Sequence, residues 1–418
     1  MPRKVLVSIF IVIFADMIGL AFITPFMSLF ADKYQATGVW LGIIYSALSL
    51  SRLFSLPVFG RLSDRFGKKR FICIGLFLYV VLALAYLFTD YLPISYASPY
   101  LAGVRFLRGI VSAMIVPVAR AYIGELSPRG KEGYYMGVFN VAFFTGLGMG
   151  PIIGGLVNDI SGWESLFYTM SALWAFAFLV AILFIPRSKG AGHAVKKASA
   201  SIWRVLKHKI MLSVFIVRAI SGIGTSILTV YSALYVTDRF DVSFLQVGLM
   251  SASGTLLSGI LQWYTGGLAD RYSKRFLIIL GNVLAVLPFF FIPLADSYVV
   301  LLLIRTSVAF GPALSMPASA AIVTKVGRRF GMGSAHSVFN MAMTLGHLIS
   351  PIMFGYILDL LKARYVVAHG EVGARIVAIE YVLYIAAIIG IIGAVVFYFM
   401  TRSYKEEEEA QITDPRLQ

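Results

Sequence analysis

Residues Gly60–Arg70, GRLSDRFGKKR, separate two apolar stretches of this chain, and a partial copy at 266–275, GGLADRYSKR, follows 206 positions later. The glycines allow the backbone to turn tightly, and the many basic side chains are typical of a loop on the cytoplasmic face of a membrane. The motif therefore predicts a short loop between two membrane helices. Its copy indicates that the chain contains one structural unit twice.

The composition is that of a membrane protein. Hydrophobic residues make up 59% of the 418 residues, charged residues only 13%, and the mean hydropathy is +0.84. A helix needs about 20 mostly apolar residues to cross a bilayer. Twelve stretches come close to or exceed this length: 5–30, 40–59, 71–89, 99–123, 133–157, 164–186, 210–236, 244–265, 276–295, 299–323, 333–358 and 377–400.

The Lys and Arg residues are distributed unevenly between the two faces. With both termini in the cytoplasm, 25 of the 36 basic residues fall on the cytoplasmic side, and the outer loops hold Lys33, Arg239, Lys362, Arg364 and Arg375. Cytoplasmic loops of membrane proteins carry such an excess. We therefore expect a multi-pass protein of the cell (inner) membrane with both termini in the cytoplasm. The net charge of +16 indicates contact with anionic membrane lipid rather than with nucleic acid.

A second observation supports the duplication. Residues 101–160 align with 301–360 without gaps at 16 identities, among them Pro151 with Pro351 and Asp159 with Asp359. We expect an all-α integral membrane protein with 12 transmembrane helices in two pseudo-symmetric six-helix halves. Two parallel halves related by an axis along the membrane normal are one of the arrangements known for secondary transporters.

The repeat and the composition also define the expected domains. The linker is polar and basic, and a short amphipathic surface helix is expected around Ile202–Leu206. The domains are an N-terminal half at 1–187, a cytoplasmic linker at 188–209, a C-terminal half at 210–401 and an acidic cytoplasmic tail at 402–418.

Ionisable residues inside the spans are the candidates for function. A charge at the bilayer centre costs at least ~2.5–3.5 kcal/mol, so such residues are functional candidates by default. Counting 1.5 Å per residue places Asp16, Arg52 and Arg108 at similar depths in three different spans. An aspartate that alternates between a protonated and an arginine-paired state could couple transport to protons. The alternative is a static salt bridge that holds the helices together.

Four motifs occur in the order typical of one transporter family. They are the loop Gly60–Arg70, Arg105-x-x-x-Gly109, Gly146-x-x-x-Gly150-Pro151-x-x-Gly154-Gly155, and Asp16-Met-Ile-Gly19 followed by Pro25. The chain resembles a major facilitator superfamily transporter over nearly its whole length, and in particular the 12-helix drug:proton antiporters. The resemblance implies alternating access driven by a proton gradient, without a cofactor. We find no ATP-binding loop and no zinc-protease motif, so the protein is not expected to be an enzyme.

The resemblance implies gating elements in two places. The loop is expected to pack near Gly333 and to stabilise one access state, with Asp64 pairing with a cation; the alternative is a basic anchor with an incidental aspartate. The glycines of the fifth span are expected to pack closely against another helix, and Pro151 to bend the span. The gating candidates are Gly60, Asp64, Arg65, Gly67, Arg70, Asp270, Arg271, Gly146, Gly150, Pro151, Gly154 and Gly155.

The polar residues of the other spans are candidates for the substrate cavity. In the family the first, fourth, seventh and tenth helices line this cavity. Several arginines and few acids favour an anionic or zwitterionic substrate over a lipophilic cation. The candidates are Arg52, Arg108, Arg218, Arg105, Arg305, His347, Asn140 and Asn340. Interhelical hydrogen bonding is the simpler expectation for the two asparagines, as is a neutral, hydrogen-bonded state for the histidine.

Two function classes remain open. The first is a proton-coupled antiporter, with Asp16 as the coupling residue, that exports small amphipathic molecules as a monomer. The second is an importer or facilitator of an organic anion, or a flippase of an anionic lipid, which the arginines favour. A receptor or scaffold on a carrier fold is the least favoured reading because the gating motif and the buried charges are intact.

Overall fold

The computed structural model describes residues 3–127, 132–186 and 202–402. Within these ranges the chain is helical and contains no strand. The helices are α1 (Arg3–Ile23), α2 (Met27–Asp32), α3 (Gly38–Phe66), α4 (Lys68–Ala85), α5 (Ile94–Leu126), α6 (Glu132–Phe184), α7 (Ile202–Leu206), α8 (Lys209–Phe240), α9 (Phe244–Arg271), α10 (Lys274–Phe291), α11 (Tyr298–Ser307), α12 (Phe310–Phe330) and α13 (Met332–Met400). Two short 3-10 helices, Tyr86–Tyr91 and Ile292–Leu294, follow α4 and α10.

The described helices provide the twelve predicted membrane crossings. Ten continuous segments are long and apolar enough to span a bilayer. Two of these, 134–184 and 334–400, are each a pair of helices joined at a glycine with positive φ, Gly162 (φ 76°) and Gly370 (φ 68°). A positive φ cannot continue an α-helix and is readily adopted only by glycine. Splitting the chain at these two points confirms the prediction of twelve helices.

The first predicted span is shorter in the structure. It was expected to run from 5 to 30, but α1 ends at Ile23, and a turn at 24–26 precedes α2. Pro25 lies in this turn, and proline lacks the N–H that would continue the helical hydrogen bonds. Apolar character continues across the turn, which is why the composition alone did not reveal the end of the helix.

The linker and the tail lie largely outside the described residues. The predicted surface helix is present as α7, with Val205 buried and Trp203 exposed. The remainder of the linker up to residue 201 and the acidic tail from residue 403 are not part of the described structure.

The chain divides into two compact units. One comprises Met1–Ala194, Leu228–Leu256 and Leu348–Ile379, and the other comprises Val195–Ile227, Leu257–His347 and Glu380–Gln418. The second unit has an apolar core of buried side chains from α7, α8, α10, α12 and α13. The first unit contains α1 to α6, and the charged candidates of the N-terminal half lie inside it.

The glycines of the predicted fifth span pack on α1. A Cβ atom at Gly146, Gly150 or Gly154 would lie 2.7, 2.8 or 2.8 Å from a backbone oxygen of α1. Since real Cβ contacts are longer, these glycines allow α1 and α6 to approach each other at backbone distance. Pro151 is accommodated in α6 without a non-helical residue beside it. The helix that carries Asp16 is therefore held against a close-fitting neighbour.

Two glycines of α5 provide a test of close helix packing at a second contact, the one between α5 and α3. A Cβ at Gly109 would lie 1.9 Å from Ser51 Oγ and 2.3 Å from Leu48 O, whereas a Cβ at Gly103 would meet no atom within 4 Å. We expect Gly109→Ala to destabilise the protein by about 1–3 kcal/mol because α3 must move away. Gly103→Ala, the control on the same helix, is expected to be neutral or to stabilise by about 0.5–1 kcal/mol. Thermal unfolding in detergent measures both, and equal melting temperatures for the two variants would contradict the close packing of α3 on α5.

Candidate functional site

Asp16 lies in the middle of α1 and is buried, with 1% of its surface exposed. Its carboxyl group interacts electrostatically with Arg108 of α5 and, more weakly, with Arg52 of α3, and it also faces the indole of Trp174 on α6. The structure thus places Asp16 near side chains of three other helices. However, within the described residues no Lys or Arg nitrogen is within ion-pair distance of Asp16. Its Oδ1 atom forms no hydrogen bond.

Arg108 is directed to the backbone of α1 rather than to Asp16. Its Nη2 atom donates hydrogen bonds to the carbonyl oxygens of Gly19 and Leu20, both at 3.2 Å. Its guanidinium carbon lies 5.9 Å from the ring centre of Tyr79 and 5.4 Å from that of Trp174. Two of its nitrogens, Nε and Nη1, have no hydrogen-bond partner. Arg108 is therefore a buried cation with two unused donor atoms close to a carboxyl group with an unused acceptor.

The other candidate arginines do not form ion pairs with carboxylates in the described part of the chain. Arg105 is buried and lies over the ring of Tyr45 at 4.7 Å. Arg218 lies over the ring of Phe339 at 4.9 Å. Arg305 is half-buried, and its Nε atom has no partner. Aromatic faces stabilise Arg105 and Arg218 by cation–π attraction, which leaves much of the hydrogen-bonding capacity of each guanidinium free.

The remaining cavity candidates differ in their surroundings. His347 Nε2 lies 2.9 Å from Thr225 Oγ1, which agrees with a hydrogen-bonded histidine. Asn140 and Asn340 are exposed at equivalent repeat positions, and the expected interhelical hydrogen bonds are not observed. Arg52 is half-buried. The structure thus brings Arg52 and Arg108 together with Asp16, whereas it places His347 in the second unit.

The predicted loop 60–70 is almost entirely helical, because α3 continues to Phe66 and α4 begins at Lys68, and the chain turns sharply only at Gly67. Gly67 adopts φ 96°, which accounts for glycine at this position, and its N–H caps Ser63 O at 3.0 Å. The buried Lys68 pairs with Asp64 at 2.9 Å and also with Glu125 of α5. Asp64 therefore does pair with a cation in this state. Its role as a gate stays a prediction, because the contact belongs to one state only.

The other gating candidates of this motif are Arg65, Arg70 and Gly60, whereas Lys69 donates a hydrogen bond to Ile182 O at 2.7 Å. Arg65 lies over the ring of Phe66, and Arg70 is exposed. A Cβ atom at Gly60 would meet no atom within 4 Å. Gly60 adopts a helical backbone, so neither its conformation nor its present neighbours require glycine here.

The second copy of the loop differs where its sequence differs. Ser273 occupies the position of Gly67 and adopts φ −56°, a conformation open to any residue. A Cβ atom at Gly266, like one at Gly60, would meet no atom within 4 Å. Arg271 is exposed at the end of α9, and the side chain of Asp270 is not among those described. The first copy therefore has both a glycine and a positive φ at position 67, whereas the second copy has neither at the equivalent position 273.

Two aspartates outside the four sequence motifs form matching contacts with helix N-termini. Asp359 accepts hydrogen bonds from Gly38 N at 2.6 Å and Val39 N at 2.9 Å, at the start of α3. Asp159 accepts from Phe244 N at 2.9 Å and Leu245 N at 2.8 Å, at the start of α9. The first N–H groups of a helix lack partners and carry partial positive charge, so a carboxylate is favourable there. We call these two contacts the carboxylate clamps, and the end of the first unit that holds them the clamped end.

Beside each clamp the helices are in close backbone contact, and the contacting residues occupy equivalent positions in the two repeats. A Cβ at Gly248 would lie 2.2 Å from Pro151 O, and one at Gly155 would lie 2.4 Å from Phe244 O. In the other pair, a Cβ at Gly42 would lie 2.4 Å from Pro351 O, and one at Gly355 would lie 2.1 Å from Gly38 O. Gly155 and Pro151 therefore act at a different contact from the Gly146, Gly150 and Gly154 face, which packs on α1.

An ionic network lies beside the Asp359 clamp. Arg375 binds both oxygens of Asp238 at 2.6 Å and donates to Asp32 at 2.6 Å. Bidentate arginine–carboxylate pairs are among the stronger ion pairs in proteins. A cavity of about 690 Å³ lies next to these residues at the clamped end rather than beside Asp16. Among the described residues, no group of three or more metal-binding side chains occurs.

Comparison with known proteins defines the family. The model of the Major Facilitator Superfamily matches residues 9–217 and 214–416, one match for each half. The chain is 30% identical over 358 residues to an uncharacterised MFS-type transporter of Methanocaldococcus jannaschii, covering 84% of this chain and 91% of the relative. It is 25% identical over 375 residues to the quinolone resistance protein NorA of Staphylococcus aureus, covering 88% of this chain and 94% of NorA.

The fold agrees with this assignment. A solved bacterial homologue of the human lysosomal transporter Spinster, in an inward-facing and unoccupied conformation, superposes with a TM-score of 0.80 at 14% identity, covering 97% of this chain and 98% of that one. The chain belongs to the major facilitator superfamily, and it is a membrane transporter rather than an enzyme. Its resemblance to the drug:proton antiporters within the family is confirmed by its similarity to NorA.

Proposed function

We propose that this transporter is a proton-coupled antiporter that exports small amphipathic organic molecules by alternating access. The observation that carries the proposal is Asp16, a buried carboxyl group on a tightly packed helix that has arginines nearby but no direct ion pair. An unpaired charge is costly in such a place, whereas a neutral carboxylic acid is tolerated. The present arrangement therefore suits the proton-bound form of Asp16.

The proton cycle follows from the unused hydrogen-bonding groups. When Asp16 loses its proton, the free Nε and Nη1 atoms of Arg108 and the nearby Arg52 are available to its carboxylate. When Arg108 pairs with the Asp16 carboxylate, its guanidinium either leaves the carbonyl oxygens of Gly19 and Leu20 or rotates while it stays bonded to them. A proton that enters from outside releases the arginine again, and a substrate from inside competes for the same cation.

We propose that the clamped end is the outer end of the transporter. The distribution of Lys and Arg supports this orientation, with both termini in the cytoplasm. The two clamps and their backbone contacts then close the outer side in this state. Gly60 and Gly266, at the opposite ends of α3 and α9, have open space beside them, which suits contacts that form only when the inner side closes.

The gating candidates acquire specific roles under this proposal. Gly60, Asp64 and Gly67 of the first loop form the stronger inner latch, and Asp270 and Arg271 of the second loop form the weaker one. Gly155 and Pro151 belong to the outer closure. The halves that rock against each other are residues 1–187 and 210–401, and a single chain is the transporting unit, with no cofactor beyond the proton gradient.

A zwitterionic substrate fits the charges best. Several buried or half-buried arginines lack carboxylate partners, so a substrate with a carboxylate group would find cationic partners. The relative NorA is described as a quinolone resistance protein, and many quinolones carry both a carboxylate and an amine. We therefore choose a fluorescent quinolone as the first test substrate.

The second candidate is import or facilitated movement of an organic anion, or flipping of an anionic lipid. It is favoured by the same unpaired arginines, in particular Arg105, Arg218 and Arg305. It differs from the first candidate because it requires no proton release from Asp16.

The decisive experiment uses purified protein in liposomes with an acidic lumen. We expect quinolone uptake several-fold above that of protein-free liposomes, and we expect a protonophore to abolish the difference. Uptake that does not depend on the pH gradient, together with counterflow of labelled organic anions or lysolipids, would instead establish the second candidate.

A further inference from the structure

Trp174 occupies a position that a purely apolar packing role does not explain. It is a fully buried side chain of α6, and its indole stacks on Tyr79 with ring centres 4.5 Å apart. A Cβ atom at Gly19 would lie 2.6 Å from the indole, so the ring occupies a notch that only glycine leaves in α1. Gly19 is one turn beyond Asp16, which places the indole beside the proposed proton site.

The indole has a hydrogen-bond donor that is not used in this state. Trp174 Nε1 and Asp16 Oδ1 are both buried, and both lack a hydrogen-bond partner. The indole N–H is nevertheless close enough to the carboxyl group of Asp16 to act on it as a donor, although the pair falls short of a fully formed hydrogen bond. Because the N–H group of a buried tryptophan normally finds a partner, an unused donor beside an unused acceptor indicates a bond that forms in another state.

We propose that Trp174 is a positioning residue for Asp16, whose indole N–H binds the carboxylate when Asp16 is ionised and releases it when Asp16 is protonated. This inference rests on the proposed role of Asp16 as the proton carrier. The charged and titratable groups that face Asp16 are Arg108 of α5, Arg52 of α3 and Tyr79 of α4, in addition to Trp174 of α6.

The geometry gives Trp174 a role that Arg108 cannot perform alone. Arg108 has several N–H donors that can bind different partners, and in this state it donates to the backbone of α1. The indole, in contrast, is fixed by the stack on Tyr79 and by the notch at Gly19. A rigid donor sets where the ionised carboxylate lies, and the arginine then supplies the charge.

A spectroscopic experiment tests the bond directly. The protein has five tryptophans, so Trp40, Trp163, Trp203 and Trp263 are replaced with phenylalanine to leave Trp174 as the only tryptophan. We expect its fluorescence to change with pH in a single transition, and we expect Asp16→Asn to remove that transition. If the four-fold variant does not fold, the difference between the spectra of the wild type and Trp174→Phe gives the same signal. A transition that persists in Asp16→Asn would overturn the proposal.

Transport measurements separate positioning from packing. Replacing Trp174 with β-(3-benzothienyl)alanine keeps the two-ring shape and replaces the N–H group with a sulfur atom that cannot donate a hydrogen bond. Loss of a donor to the ionised form should move the pH dependence of quinolone transport upward by about one unit. The same replacement at Trp163, which packs against Phe30 and Phe244, is the matched control and should leave the pH dependence unchanged. An unchanged profile at position 174 would contradict the proposal.

The outcomes also distinguish this inference from the proposed function. If the wild type does not transport quinolone, the fluorescence transition still decides whether Trp174 and Asp16 form the bond. If transport is proton-driven but neither readout responds at position 174, Asp16 remains the carrier and Trp174 has only a packing role.

Discussion

Asp16→Asn is expected to reduce pH-gradient-driven quinolone uptake at least ten-fold, to the level of protein-free liposomes. Asparagine has nearly the same shape as a protonated aspartate but cannot release a proton. The variant should therefore keep the fold and the present arrangement, in which Asp16 forms no ion pair. The measurement is quinolone fluorescence in liposomes with an acidic lumen.

The same variant should retain exchange that needs no proton. Counterflow of quinolone between loaded and empty compartments at equal pH is expected to continue, because the substrate still binds and the halves still move. Asp296→Asn is the control, because Asp296 is exposed between two spans. This variant should transport quinolone as the wild type does. Equal gradient-driven uptake by the wild type and Asp16→Asn would exclude Asp16 as the coupling residue.

The helices and the duplication could be predicted from the sequence because both depend on local features. Apolar stretches of bilayer length are visible without knowledge of tertiary contacts, and the repeat is visible at 16 identities between 101–160 and 301–360. The end of α1 at Ile23 was not predicted, because a single proline in an apolar stretch did not outweigh the hydropathy.

The candidate site was predicted in position but not in detail. Helical rise gives the depth of Asp16 and Arg108, and the structure places them close together as expected. The depth of a residue does not show where its side chain points, however. Arg108 donates its hydrogen bonds to the backbone of α1 instead of to the carboxyl group of Asp16. Trp174 could not be singled out, because aromatic residues make up 14% of the chain and its role depends on a notch at Gly19 in a distant helix.

The partners of the two clamp aspartates could not be predicted from the sequence. Asp159 and Asp359 were visible as a repeated pair, yet nothing local indicated their partners. Asp359 binds the start of α3 across 321 positions of sequence, and Asp159 binds the start of α9 across 85. The available signals in the sequence were a repeated acid and a repeated helix start elsewhere in the chain.

Loss of the Asp359 clamp is expected to open the clamped end. Asn at this position keeps the size but removes the charge and replaces one acceptor oxygen with a donor that faces a backbone N–H. A carboxylate at a helix N-terminus contributes about 1–2 kcal/mol in a partly buried place, which corresponds to a factor of about 5–30 in the gating equilibrium. Asp159→Asn should have a smaller effect because Asp159 is exposed to solvent, which screens its charge.

The opening can be measured with a single cysteine. Ser46 is buried two turns below Gly38 on α3, and its Oγ donates to Leu348 O at 2.6 Å. In a Cys73→Ser background, Ser46→Cys should react slowly with a membrane-impermeant thiol reagent added outside cells. Adding Asp359→Asn should raise the labelling rate about 5–30-fold, in line with the shifted equilibrium.

A control separates the clamps from general loss of charge at this end. Asp90 is bonded to Lys33 Nζ and Tyr34 OH, both at 2.6 Å, and does not contact a helix N-terminus. Asp90→Asn should therefore leave the labelling of residue 46 unchanged. If Asp90→Asn and Asp359→Asn raise the rate equally, surface charge and not the clamp controls access. If neither changes it, the backbone contacts of Gly42 and Gly355 are sufficient to hold this end closed.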